Sequence, residues 1–217
     1  GVENRKLWIL GIILLVLGYW EPMTMIFPLW ILVYLLRGPL IDIADRIQPY
    51  TAFLAFGILF GLLIEIFAIL ENLDKPLDER ALFNPHPWID LVLALYYYPL
   101  LILTWMLLLK KINYSKKEVF IITGLYGIVV EQMGVIVAIV ISNPFGFIIG
   151  LFVVCVHGVF PMLALMLTEH RMPKERKETN IKWWAFGLFC MFLQWAIGGL
   201  TLFRWITLAL DPANANW

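Results

Sequence analysis

Three ionisable side chains interrupt long apolar stretches of this sequence: Glu65, Glu131 and His157. A carboxylate or an imidazole is costly to place in hydrocarbon, so such a residue indicates a functional site by default. Two carboxyl groups and an imidazole can divide the roles of general acid and general base, because burial and mutual repulsion separate their pKa values. The three residues therefore suggest an acid–base centre inside a membrane protein.

Helical spacing predicts the direction in which these side chains point. Each of them recurs with small residues at intervals of three or four, and residues at that spacing share one helix face. Because small residues let membrane helices approach closely, we expect these faces to meet neighbouring helices and the polar groups to point inward. Their three stripes are Gly57, Gly61, Glu65, Ala68 and Asn72; Gly124, Gly127, Glu131, Gly134 and Ala138; and Gly146, Gly150, His157, Pro161 and Ala164. A fourth stripe, Gly187, Cys190, Gln194, Gly198 and Thr201, contains a glutamine that we expect to hydrogen-bond between helices.

The depth of the polar residues predicts where such a centre lies. Glu131 and His157 are near the middle of their apolar segments, and Glu65 is displaced toward one end. The run Tyr96–Tyr98 and the cation Arg204 fall in the same zone. We therefore expect a polar cavity between the membrane midplane and the outer leaflet, open outward or sideways.

Composition assigns the chain to the membrane class. Of its 217 residues, 62% are hydrophobic and only 15% are charged. A soluble domain is nearer half apolar and a quarter charged. Lys plus Arg and Asp plus Glu both number 16, so there is no basic excess that indicates nucleic-acid binding. These numbers predict an all-α polytopic transmembrane bundle, integral to a membrane such as the cell (cytoplasmic) membrane.

The apolar segments predict one membrane domain, 1–217, with five full spans. A helix needs about 20 residues to cross the hydrocarbon core. The predicted spans are about 50–71, 89–109, 118–141, 145–168 and 182–210. The region 7–36 is interrupted at Glu21-Pro22 and again at Pro28, so it forms either one kinked helix or a helical hairpin.

Basic residues predict the orientation of the spans. Loops 110–117 and 169–182 are rich in lysine and arginine, so by the positive-inside rule both are cytoplasmic. The segment 211–217 has neither residue, and we expect the C-terminus outside. Arg5 and Lys6 then favour the hairpin, with Glu21 at its tip. No cleavable signal peptide is expected, and the outer loop 71–88 can cover the cavity.

Three functions are compatible with this pattern. The leading hypothesis is an acid–base enzyme acting on a lipid or isoprenoid, with Glu131 as central carboxylate, Glu65 as its partner and His157 as proton shuttle. The same groups can carry protons in a transporter or channel. They can also hydrogen-bond across helices in a structural or accessory subunit of a larger membrane complex.

The sequence does not identify a cofactor. One histidine within a predicted span is too few for a bis-histidine haem, and no spaced zinc motif is present, so we expect no metal. Quinone or carotenoid binding between aromatic-rich helices leaves no firm sequence mark. The expected partners are membrane lipids, a lipidic substrate and other membrane subunits, without nucleic acid.

Overall fold

The computed structural model describes residues 2–130, 134–173 and 175–214, and this part of the chain is almost entirely helical. The α-helices are α1 (Val2–Gly18), α2 (Ile26–Leu35), α3 (Arg37–Ala44), α4 (Pro49–Asn72), α5 (Pro87–Leu109), α6 (Lys116–Val130), α7 (Val135–Ser142), α8 (Gly146–Thr168), α9 (Ile181–Ile197) and α10 (Arg204–Leu210). Two short strands, β1 (Ile112–Asn113) and β2 (Lys177–Glu178), pair in parallel. The predicted all-α class is confirmed.

Four helical segments are long and apolar enough to cross a membrane. They are α4, α5, α8 with its extension to Arg171, and the continuous segment Ile181–Leu210. In the last of these, a π-helical stretch, Gly198–Phe203, joins α9 to α10. Two bent helix pairs raise the number to six if each pair counts as one span. The chain is therefore suited to membrane integration, with four to six candidate spans in its described part.

The N-terminal apolar region forms a helical hairpin. Helices α1 and α2 are separated by a turn that contains the short 3₁₀ helix Pro22–Met25. Gly11 faces Ile31 and Gly18 faces Met25, so the two helices run antiparallel. Proline is expected at the start of the 3₁₀ turn. The first backbone N–H groups of a helix have no partner within it, so the N–H that proline lacks is not missed. Helix α3 then continues from α2 after a bend of 74°.

The predicted span 118–141 corresponds to two described helices rather than to one. Helix α6 ends at Val130, α7 begins at Val135, and the two axes differ by 96°. Gly134 immediately before α7 has φ +89°, a left-handed conformation that glycine adopts without a steric penalty. Hydropathy reports apolarity but not helix continuity, so it cannot reveal this break. The small-residue stripe from Gly124 to Ala138 therefore does not continue onto α7, and Glu131 lies outside the described residues.

Small residues bring the central helices together, as their spacing predicts. On α4, Gly57 packs against Ile102 and Gly61 against the ring of Tyr98, both on α5. On α6, Gly127 packs against the imidazole of His157 on α8. A methyl group added at Gly61 or Gly127 would come within 2.3 Å of the facing ring. The site residues are thus held by close helix–helix contacts.

One end of the molecule gathers the basic loops. Strands β1 and β2 join the loop after α5 to the loop after α8, with Ile112 opposite Lys177. The guanidinium group of Arg171 donates hydrogen bonds to the carbonyls of Ala44, Asp45 and Ile47. The end of α3 and both lysine- and arginine-rich loops therefore lie on the same side.

The opposite end gathers the remaining connections. The backbone N–H of Met23 in the hairpin turn donates to Oε2 of Glu71 at 3.2 Å. The side-chain amide of Asn84, in the loop between α4 and α5, donates to Oδ2 of Asp211 at 3.1 Å. The hairpin tip, the long loop and the end of α10 thus lie at one end of the molecule.

Candidate functional site

A cavity of about 830 Å³ lies beneath the loop between α4 and α5. Its wall is built mainly by α4, α5, α8 and the segment from α9 to α10. Glu65 and His157 are both on this wall, together with Tyr97, Tyr98 and Arg204. Its other lining residues include Met23, Ile64, Ala68, Glu71, Asn72, Lys75, Asp78, Glu79, Arg80, Phe83, Val130, Phe152, Val153, Val156, Phe160, Trp195, Gly199 and Phe203.

Glu65 is the most buried acid on the cavity wall, with 4% of its surface exposed. The hydroxyl group of Tyr98 donates a hydrogen bond to its Oε2 at 2.9 Å. Gly61, one turn earlier on α4, lies against the Tyr98 ring and makes room for it. Gly61 therefore makes room for the Tyr98 ring, and the hydroxyl group of that ring orients the carboxyl group of Glu65.

Asp90 is a second buried acid at this site, and sequence reasoning missed it. The residue is fully buried, and its side chain meets that of Glu65. Its Oδ1 accepts a hydrogen bond from the backbone N–H of Asn84 at 3.2 Å, while Oδ2 has no donor that the described residues supply as a fixed N–H or hydroxyl. An aspartate in the first turn of a helix is ordinarily explained by the helix dipole. Nothing in the sequence therefore distinguishes Asp90 from an ordinary acid at a helix start.

His157 contributes an imidazole from α8. Its Nδ1 is 3.2 Å from the carbonyl oxygen of Val153, one turn earlier. A neutral ring that donates from Nδ1 carries its lone pair on Nε2, the form suited to accept a proton. The ring also packs edge-on against Tyr126, whose hydroxyl is 3.2 Å from that of Tyr97. Burial and packing thus fix the orientation of the imidazole.

The predicted site residues are only partly brought together. Glu65 and His157 line the same cavity, as do Tyr97, Tyr98 and Arg204 from the expected outer zone. Glu131, predicted as the central carboxylate, lies outside the described residues. Gln194, expected to hydrogen-bond between helices, is buried, but its Oε1 finds no donor in the described part of the chain.

Hydrogen bonds within the loop between α4 and α5 hold it together above the cavity. The guanidinium group of Arg80 donates to the carbonyls of Leu73, Lys75 and Pro85. Oδ1 of Asn72 accepts hydrogen bonds from the backbone N–H of Ala81 at 3.0 Å and from Nζ of Lys75 at 3.3 Å. Two of the cations at the cavity are therefore engaged with the loop itself.

The lining suits an apolar ligand with a reactive point. The part of the wall built by the helices is mainly aliphatic or aromatic, with Glu65 and His157 as ionisable groups, whereas most of the other charged side chains come from the loop side. Within residues 2–130, 134–173 and 175–214, no group of three histidine, cysteine or acidic side chains is arranged to hold a metal ion. No protein-family model, curated protein or solved structure matches this chain.

Proposed function

We propose that this protein is a membrane enzyme that performs acid–base chemistry on an uncharged lipid of the isoprenoid class. The observation that carries the proposal is the buried carboxyl group of Glu65, oriented by Tyr98 on the wall of a large cavity that also contains His157. A volume of about 830 Å³ falls within the range of small-molecule sites. A buried carboxyl group beside an imidazole provides a general acid and a general base.

The proposed roles follow from the environment of each group. Glu65 gives a proton to the substrate, and Tyr98 holds its carboxyl group toward the cavity. His157 accepts or relays a proton through Nε2, because Nδ1 is engaged with the carbonyl of Val153. Glu131 keeps its predicted role as the central carboxylate. Glu65 and His157 are restored when the proton is returned at the end of a turnover.

Charge at the cavity favours an uncharged substrate. The acids Glu71, Asp78 and Glu79 line its loop side. The cations Arg80 and Lys75 are engaged with loop carbonyls and with Asn72. On the loop side, an anionic headgroup would meet these acids and compete for two cations that already have partners. An isoprenoid alcohol or hydrocarbon needs no such cation and fits the aromatic wall.

Membrane orientation completes the proposal. We place the basic loops 110–117 and 169–182 in the cytoplasm, because lysine and arginine are retained on that side. The chain would then cross the cell membrane in five full spans, with an N-terminal hairpin and the C-terminus outside. The cavity, at the opposite end from the basic loops, would open toward the outer leaflet, where an apolar substrate can enter from the lipid.

The direct test compares the lipids of cells that produce the wild-type chain with those that produce Glu65→Gln. We expect mass spectrometry of extracted isoprenoids to show a substrate consumed and a product formed only with the wild type. Loss of a general acid typically costs about 10²–10⁴ in rate. The matched control is Glu79→Gln, an exposed acid at the same cavity, which should retain turnover. Equal product from wild type and Glu65→Gln would reject the role of Glu65.

A further inference from the structure

Glu65 and Asp90 form a pair of buried carboxyl groups contributed by two helices. Glu65 lies in the last two turns of α4, and Asp90 lies in the first turn of α5. Both side chains are almost completely removed from solvent, and they meet each other. Two carboxylates brought together away from solvent repel each other, and a proton on one of them relieves that repulsion.

Hydrogen bonding identifies where the shared proton must lie. Tyr98 donates to Oε2 of Glu65, and the backbone N–H of Asn84 donates to Oδ1 of Asp90. Oδ2 of Asp90 has no fixed donor among the described residues. A buried acceptor without a donor is costly and calls for a physical explanation. A proton on the facing carboxyl group of Glu65 supplies that donor.

We propose that Glu65 and Asp90 share one proton at neutral pH, so that the pair carries a single negative charge and Glu65 is held ready as an acid. Asp90 does not line the cavity, whereas Glu65 does. Asp90 is therefore a positioning residue that keeps the proton available without touching the substrate. When Glu65 donates to a substrate atom, the pair is left with two negative charges, and their repulsion drives return of a proton from the product.

Other charged and titratable groups surround the pair from several elements. Tyr97 and Tyr98 come from α5, His157 from α8 and Arg204 from α10, while Asp211 is linked through Asn84. In the part of the chain that the structure describes, Asp90 forms no ion pair. A proton, rather than an internal cation, is therefore the group that offsets the charge of Asp90.

Infrared spectroscopy tests the shared proton without a substrate. The full chain in lipid nanodiscs should show a protonated-carboxyl carbonyl band at neutral pH, and the difference spectra against Glu65→Gln and Asp90→Asn should both show that it is lost. Each variant leaves one carboxylate beside an amide donor, so the remaining acid ionises. Asp74→Asn, at an exposed acid that does not line the cavity, is the matched control and should leave the band unchanged.

The possible results separate this inference from the proposed function, on which only the use of the proton depends. A band lost in Glu65→Gln but retained in Asp90→Asn would mean that burial alone protonates Glu65, and sharing would be overturned. The absence of the band from wild-type protein would overturn it as well, whether or not the variants fold. A shared proton in a protein without isoprenoid turnover would support the pair and reject the enzyme.

Discussion

Tyr98 and Glu65 connect helix α5 to helix α4 through one hydrogen bond, in which the phenolic hydroxyl donates to Oε2 at 2.9 Å. The ring that carries this hydroxyl lies directly against Gly61, one turn from Glu65. The contact of Tyr98 with α4 therefore both packs the two helices together and orients the carboxyl group of Glu65. A change in the packing surface should alter the chemistry of Glu65 even where the carboxyl group itself is intact.

Substitution of two glycines on α4 should separate packing from chemistry. In Gly61→Ala the new methyl group would lie 2.3 Å from Cδ1 of Tyr98, so the ring must shift and its hydrogen bond to Glu65 is disturbed. A displacement of this kind costs up to about 10² in rate. In Gly57→Ala the methyl group meets Ile102 instead, and overpacking there costs about 1–3 kcal/mol of stability.

Product formation per folded molecule and the thermal unfolding temperature are the two measurements for this pair. Both variants should unfold at a lower temperature than the wild type. Only Gly61→Ala should also lose activity per folded molecule. Equal specific activity in Gly61→Ala and Gly57→Ala would show that the Tyr98–Glu65 bond is irrelevant to turnover.

Replacement of His157 should reduce turnover while the helices remain packed against one another. The loss expected for His157→Ala is about 10²-fold, the usual contribution of a positioned acid or base. His170→Ala is the matched control, because His170 pairs with Asp45 in the loops at the other end of the molecule. Kinetics at saturating substrate measure both variants. A larger loss of turnover in His170→Ala than in His157→Ala would show that the imidazole of His157 has no role at the proposed site.

The contribution of Tyr114 to stability should vanish in alkali. Burial raises the pKa of Tyr114 to about 12, and its hydroxyl donates to the carbonyl of Trp183. The folded-state value exceeds the ordinary value of 10.0, so the phenol loses its proton more easily in the unfolded chain. Its stabilising effect is therefore complete below pH 10 and is lost as the pH rises toward 12.

Unfolding measurements on wild type and Tyr114→Phe check this sign. The difference in unfolding free energy between them should be constant from neutral pH to about pH 10 and should shrink above it. Phenylalanine preserves the ring packing against Trp105, so the comparison isolates the hydroxyl group. A difference that stays the same up to pH 12 would mean that Tyr114 ionises as readily in the folded chain as in the unfolded chain.

Cysteine labelling should reveal the orientation in the membrane. With Cys155 and Cys190 replaced by alanine, Lys117→Cys in the first turn of α6 and Asp78→Cys in the loop between α4 and α5 each place one thiol at an exposed position, at opposite ends of the molecule. A membrane-impermeant maleimide added to intact cells should label Asp78→Cys alone. Labelling of Lys117→Cys in intact cells, with Asp78→Cys protected, would invert the proposed topology and place the cavity on the cytoplasmic side.

Hydropathy predicted much of the helical fold, because the apolarity of a segment is a property of local sequence. The segments that became α4, α5 and α8 stand out by apolarity alone, and the observed helices begin and end close to the predicted limits. The bend between α6 and α7 was not predicted, because the residues that follow Gly134 are as apolar as those of an unbroken span. Helix continuity here depends on backbone conformation, and composition gives no information about it.

The candidate site shows the same division. Glu65 and His157 were predicted from their position in apolar helices, and small-residue spacing indicated the faces that meet other helices. Asp90 was missed, because its neighbours along the chain give an acid at a helix start an ordinary explanation. Its importance arises from Glu65, which is distant in sequence and comes close only through the packing of α4 against α5.

Occupancy of the cavity tests the central claim most directly. Native mass spectrometry of the protein, gently purified from its own membrane, should show one uncharged isoprenoid bound per chain. Ala68→Trp places a large ring in the cavity and should abolish that mass, whereas Ala55→Trp, at an exposed position on the same helix, should retain it. A fixed ratio of other membrane subunits with no lipid, or a lipid retained by Ala68→Trp, would contradict the assignment of the cavity as an enzyme site.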